Sequence, residues 1–248
     1  MKKDRVLVGQ IRNTNEGGSF TVVEVISAKE IYIVHNDEHK HRAKVSADQV
    51  RNGNIRNPFY PTLYGVGYMG VGKHKSKIAG KGVQHYFVWA GAVCRCYCPV
   101  RLAKRPSYEG CTLSDDFLCY QNFAEWYTTH ESYGLGYELD KDLLVKGNKI
   151  YSAETCTMIP REINLAIRAD RIKDGNLPVG VLKTKSGSYT AGTRIKGKDY
   201  HIGTFKTPEE ASAAYVKAKE AYVKELALEW KDKIEPRAFE ALMNWTVY

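Results

Sequence analysis

The stretch from residue 178 to residue 230 constrains the fold most tightly. VGVLKT, SYTAGTRI and DYHIGTF are three short alternating runs separated by polar turns at KSG and KGK. That spacing predicts three antiparallel strands joined by tight turns. Thr207-Pro208-Glu209-Glu210 follows with an N-cap, a proline at the first helical position and a capping-box glutamate. The helix it opens is predicted to bury Ala211, Ala214, Tyr215, Ala218, Tyr222 and Leu226, the alanines permitting close approach to the sheet. Period-two alternation then divides the strands. If Tyr189, Ala191, Thr193, Tyr200 and Ile202 face the helix, then Thr190, Gly192, Arg194, Asp199 and His201 face outward. Beyond Pro236, Phe239, Leu242, Met243 and Trp245 mark one side of a short helix that packs back on a domain.

The N-terminal part follows the same grammar. VLVGQIR, FTVVEVI, IYIVH and RAKVS are β-rich runs separated by NTNEGG, SAKE and NDEHK. They predict a small antiparallel barrel that ends near Asn57-Pro58. Glycine is dense from Gly65 to Gly82, which excludes a regular helix or a long strand there. The lysines of KHKSK make this stretch a basic linker able to lie along a DNA backbone, or else a plain connector. It is not a phosphate-binding loop, because His74 follows Gly72-Lys73 where Lys-Ser/Thr is required. From Gln84, Tyr86, Trp89, Ala90, Val93 and Tyr97 fall at helical spacing up to Pro99. Ser114 N-caps a further helix whose apolar face is Phe117, Tyr120, Phe123, Ala124 and Tyr127.

Charge narrows the partner. Lys and Arg number 37 against 28 Asp and Glu, giving a net charge of +9. Such a balance points to a polyanion, though basic proteins without one are common. Six cysteines are too sparse and uneven for a disulfide scaffold and fit a reducing cytosol. Cys94, Cys96 and Cys98 invite a zinc reading, but the two-to-four-residue gap within paired ligands and a matching second pair are both missing. No apolar run reaches the length of a membrane span and no secretory signal is evident, so a cytoplasmic location without membrane contact is expected.

Chemistry is concentrated in ELDKDLLVKGNKIYSAETCTMIPREINLAI, residues 138–167. A strand ending at Asp140, a polar loop around Gly147-Asn148, a second strand at residues 149–152 and a helix from Pro160 form a hairpin followed by a helix. That layout brings two side chains together to hold one divalent ion against a scissile phosphate. With Arg95-Cys96-Tyr97, Tyr108-Glu109-Gly110-Cys111 and Asn122-Phe123-Ala124-Glu125-Trp126 upstream, residues 85–167 resemble the HNH endonucleases of phages and mobile introns. The resemblance implies a catalytic group of Asp140, Asp142 and Asn164, with His130 as an alternative base. It also implies that Asp140 and Asn164 bind the metal, Mg²⁺ or Mn²⁺. Asp140 stands where the family has its general-base histidine, and Thr155 where it has a loop-pinning Asn. An Asp is a weaker base than imidazole but a natural ligand for Mg²⁺. A solvated acidic hairpin in an inactive nuclease is the alternative, which would leave a non-catalytic DNA-binding regulator.

The C-terminal run resembles the Apetala-type (ethylene-response-factor) DNA-binding domain through Gly180-Val181, Tyr189-Thr190-Ala191, Arg194, Ile202-Gly203-Thr204-Phe205 and Glu210-Ala211. In that family the exposed sheet face enters the major groove, and Arg194 matches a base-contacting Arg. Thr190 and His201 share its face, while Lys183, Lys185, Lys196 and Lys198 are expected on phosphates. The expected whole is an α+β multidomain chain: a barrel over 1–60, the linker over 61–84, an HNH-like domain over 85–170, a recognition domain over 178–230 and a helix within 232–248. Its expected partner is double-stranded DNA in the host cytoplasm, with a homodimer possible because one ββα site cuts one strand.

Overall fold

The computed structural model describes residues 5–168 and 177–247 and divides into two compact units, 1–125 and 126–248. Among the described residues no helix is long and apolar enough to cross a membrane.

The first unit opens on β1 (Ile11–Asn13), β2 (Ser19–Ser27), β3 (Glu30–His35) and β4 (Arg42–Val45), paired antiparallel in that order. The expected barrel is an open meander: each strand pairs with its chain neighbour, and β1 and β4 remain edges. Four strands, one of them only three residues long, are too few to close a barrel. The apolar face is instead covered by α1 (Ala47–Asn52), which Ser46 and Gln49 start with a reciprocal capping box. Phe20, Val22, Ile31, Ile33 and Val45 pack there with Ala47, Val50 and Ile55. Each fully buried Phe, Val or Ile side chain contributes about 1.5–3 kcal/mol.

The glycine-rich stretch has a packing cause. A Cβ on Gly70 would lie 2.4 Å from Cys119 Sγ, and one on Gly72 would lie 2.3 Å from Gln121 Oε1. These glycines allow the chain to run against helical residues, so the stretch is anchored rather than free. It ends in a hairpin of β5 (Lys77–Ile78) and β6 (Lys81–Gly82). Helix α2 (Gln84–Tyr97) buries His85, Trp89, Ala92, Val93 and Cys96, and Pro99 begins α3 (Pro99–Lys104). After β7 (Thr112–Leu113), Ser114 caps α4 (Asp115–Leu118), and α5 (Tyr120–Thr129) carries the chain across the division between the units. The expected single helix is broken at Cys119, yet Phe117, Tyr120, Phe123, Ala124 and Tyr127 are all buried.

In the second unit, β8 (Glu138–Asp140) pairs antiparallel with β10 (Thr157–Ile159), and α6 (Arg161–Ala166) follows at once. The intervening β9 (Ile150–Tyr151) lies within the expected second strand, but it is β10 that partners β8. The C-terminal sheet has the order β11 (Val181–Lys183), β12 (Tyr189–Ile195), β13 (Lys198–Phe205) and packs on α7 (Pro208–Trp230). Thr207 and Glu210 form the expected capping box. Val181, Ala191, Ala211 and Tyr215 are the core of that layer. Farther along, Tyr222, Val223, Leu226 and Ala227 join Leu143, Ile159 and Ile163 and the final helix α8 (Pro236–Met243) in a second core. Helix α7 therefore serves both cores of this unit.

Candidate active site and nucleic-acid interface

β8 carries Glu138 and Asp140, and α6 carries Asn164. Alternation puts Glu138 and Asp140 on one side of β8, roughly 7 Å apart along the strand. Asn164, buried on the second turn of α6, donates from Nδ2 to Glu138 Oε2 at 2.5 Å. That bond ties α6 to the strand that ends in Asp140 through Glu138, which sequence reasoning passed over. Its position two residues before Asp140 on the same strand face was the signal that could have found it.

Asp140 closes the strand with its own side chain. Oδ1 accepts the N–H groups of Asp142 at 2.9 Å and Leu143 at 2.8 Å. Burial pushes its carboxyl above the usual range, and the Asp142 charge adds to that; the two N–H bonds and Lys141 oppose it. The structure thereby holds a carboxylate that an adjacent cation would favour. Among the described residues, Asp140 Oδ2, Glu138 Oε1 and Asn164 Oδ1 have no protein hydrogen-bond partner. Hard oxygens of this kind suit Mg²⁺ or Mn²⁺.

The loop after Asp140 is tied down by its own residues. Lys141 is buried; its Nζ donates to Asn148 O at 2.8 Å and to Asp142 Oδ1. Asn148 Nδ2 returns bonds to Lys141 O at 2.7 Å and Ile150 O at 2.6 Å. Lys141 is therefore a loop clamp, while Asp142 is half-exposed. Thr155 pins the next turn, donating from Oγ1 to Ile150 O at 2.7 Å. Asn148 and Thr155 divide the pinning that the resemblance assigned to one residue. His130 is not brought to Asp140 by any of these contacts. Its Nδ1 accepts from Ser132 N–H at 3.1 Å, and its Nε2 faces Glu235 Oε2 at 3.7 Å in the interior. The ring is buried toward Ser132 and Glu235, and no contact among the described residues joins it to Asp140. Glu235, also unanticipated, is held below the usual carboxylate range by His130, Thr157 and Arg237, against the opposing effect of burial.

The outward face of the C-terminal sheet carries Leu182, Thr190, Gly192, Arg194, Asp199, His201 and Thr204. Cross-strand pairing sets Thr190 opposite Leu182 and Thr204, Gly192 opposite His201, and Arg194 opposite Asp199. A one-residue bulge at Ile202 lets Ile202 and Phe205 both reach the core, which strict alternation forbids. Tyr200, expected inside, is 55% exposed because β13 is an edge strand. Arg194 Nε pairs with Asp199 Oδ1 at 3.1 Å in full view of solvent, so the pair contributes little and is cheaply displaced. Lys196 pairs with Glu229 at 3.1 Å, which raises its pKa, and its N–H is held by Tyr222 Oη. Lys183 stands opposite Tyr189, on the helix side of the sheet, with its ammonium 5.9 Å from that ring. Lys185, Lys198 and His201 are exposed.

The six cysteines are free thiols. Cys94 and Cys98 lie one turn apart near Tyr64, while Cys96 is buried on another side of the helix, so the three do not converge. Among the described residues no three His, Cys, Asp or Glu side chains are grouped to hold a metal. Comparison with protein-family models, with curated proteins and with solved structures returned no match to the chain.

Proposed function

We propose that this protein is a divalent-metal-dependent DNA endonuclease of the HNH (ββα-metal) type, with the C-terminal sheet as an Apetala-like recognition surface. The observation that carries the reading is the layout: Asp140 ends one strand of an antiparallel pair, and the helix that follows the other strand is tied back to Asp140's strand by the Asn164–Glu138 hydrogen bond. Asp140 Oδ2 and Asn164 Oδ1 would hold Mg²⁺ or Mn²⁺, which supplies positive charge for the scissile phosphate. Glu138 fixes the rotation of the Asn164 amide so that its carbonyl is left for the ion. Asp140 keeps the hairpin end closed through Oδ1 and leaves Oδ2 for the ion. Lys141 and Asn148 keep the following loop in place, and Asp142 lies beside it as the remaining acidic group. Arg194, flanked by Thr190 and His201, reads base edges, and exposed lysines touch phosphates.

A second reading is a non-catalytic DNA-binding regulator. It is favoured by the way Asp140 Oδ1 and Asn164 Nδ2 are already satisfied within the protein. Plasmid nicking separates the two. Nicked circles with Mg²⁺, lost with chelator and in Asp140→Asn, are the expected result. Duplex binding with no cleavage in either Mg²⁺ or Mn²⁺ would overturn the nuclease and leave the regulator.

A further inference from the structure

Residues 61–110 carry eight Lys and Arg and one Glu, so most of the chain's net charge of +9 is concentrated in one fifth of its length. Elsewhere, cations tend to be matched within the fold: Arg42 with Glu24, Lys44 with Glu30, Arg194 with Asp199 and Lys196 with Glu229. Lys75, Lys77 and Lys81 are exposed and have no acidic partner among the described residues. They surround the β5–β6 hairpin, whose two-residue turn at Ala79 and Gly80 has φ of 48° and 77°. Positive φ at both positions gives a tight turn that matches strand twist, so the ribbon is a defined projection.

Its base is clamped to helical residues. Tyr120 Oη donates to Lys75 O at 2.9 Å. Gln121 exchanges two bonds with the His74 backbone, at 3.0 and 2.8 Å. Glu125 pairs with both Lys73 and His74, and Val83 N–H bonds Ser76 O at 3.1 Å across the open end of the hairpin. The Phe87 ring lies so close to Gly82 that a Cβ there would be 2.3 Å away. Beyond this clamp the ribbon ends in Ile78, 62% exposed between the lysines. A solvated connector needs no such clamping, whereas a rigid, unpaired cationic ribbon with an apolar tip suits a polyanion lined by sugar faces.

We propose that the Lys75–Lys81 hairpin is a second, sequence-independent contact to duplex DNA, with its lysines on phosphates and Ile78 against the sugars. The inference rests on the DNA-binding reading above and adds where the main electrostatic anchor lies. It is tested by the salt dependence of binding to a 30-base-pair duplex for the full chain, for Lys75→Gln/Lys77→Gln/Lys81→Gln, and for the corresponding triple Arg variant. The Gln variant is expected to keep the wild-type Tm, to lower the slope of log K against log[salt] by about 2–3, and to weaken binding by about 10–100-fold near physiological salt. The Arg variant is expected to keep the wild-type slope, because charge and not the ammonium group is required. Duplex binding with an unchanged slope in the Gln variant overturns this proposal alone. Absence of any duplex binding by the wild type, or a preference for single-stranded RNA, overturns the DNA reading together with it.

Discussion

Asp140 links the stability of the second unit to its proposed chemistry, and two substitutions separate the two contributions. Its Oδ1 accepts two backbone N–H groups, at 2.9 and 2.8 Å. Asp140→Ala leaves both donors without that acceptor, whereas Asp140→Asn keeps a carbonyl in the same place. A neutral hydrogen bond contributes about 0.5–1.5 kcal/mol, so Asn is expected to exceed Ala in stability by about 1–3 kcal/mol. Burial acts on the charge in the other direction. Because folding raises the carboxyl pKa, the wild type holds its full contribution below the unfolded-state pKa and loses it as pH rises through the folded value. The Asn side chain never ionises and loses nothing. In chelator, then, Asn is expected to match or exceed the wild type at pH 7, with the difference vanishing below about pH 4. Saturating Mn²⁺ should reverse that order, since an ion at 100 times its Kd stabilises the wild type by about 2.7 kcal/mol. Urea denaturation at pH 4 and pH 7, with chelator and with Mn²⁺, measures all of this. Asn as unstable as Ala in chelator would refute the hydrogen-bond account, Asn less stable than the wild type at pH 7 in chelator would refute the burial account, and a wild type indifferent to Mn²⁺ would refute the ion site.

Gly180 has φ of 77°, and a Cβ there would lie 2.2 Å from the buried Tyr215 ring, whereas Gly187 has φ of 89° and open space. Gly180→Ala is expected to cost about 2–4 kcal/mol and Gly187→Ala about 1 kcal/mol, measured by denaturation; equal losses would show that Tyr215 yields freely. Asn148→Ala removes the return bonds to Lys141 and Ile150, so limited proteolysis should begin within residues 142–149 while the C-terminal sheet stays intact; an unchanged cleavage pattern would mean that Lys141 alone holds the loop. Arg194→Ala should lose about 1–3 kcal/mol of binding on a selected duplex and relax preference at one base position, whereas an equal loss on a scrambled duplex would make this residue a phosphate contact.

Local signals were legible where the chain itself contains both partners. Thr207 and Glu210 and the alternation of β12 needed only a few residues of context, and each element formed. Pairings set by distant contacts were not legible. Residues 149–152 and 157–159 are both β-prone, and neither run by itself tells which of them pairs with Asp140's strand. The bulge at Ile202 is likewise invisible in period-two text, yet it decides that Phe205 points inward. Lys219 sits fully buried within an alanine-rich face, 3.4 Å from Thr193 Oγ1, where a helical pattern reads it as solvated. At the candidate site, the choice of Asp140 and Asn164 came from order along the chain. Glu138, Asn148 and Glu235 did not, because their roles depend on which neighbour each side chain meets.

The way α7 is shared gives one more expectation. Tyr215 belongs to the core under the sheet, and Leu226 and Ala227 belong to the core that includes Ile159 and Ile163 beside Asn164. From Tyr215 to Ala227 the helix advances about 18 Å, and it is continuous from Pro208 to Trp230. A helix buried at both ends joins the sheet to the hairpin, where a flexible tether would let the hairpin sample many phosphates. If the sheet selects the sequence and the hairpin cuts, the distance between the base read by Arg194 and the phosphate hydrolysed is fixed by this helix. Cleavage of end-labelled duplexes should therefore fall at a single offset from the preferred sequence, to within about one base pair. Moving that sequence along a longer duplex should move the cut with it. Cuts scattered over a full helical turn at constant sequence would show that recognition and hydrolysis are not joined through α7.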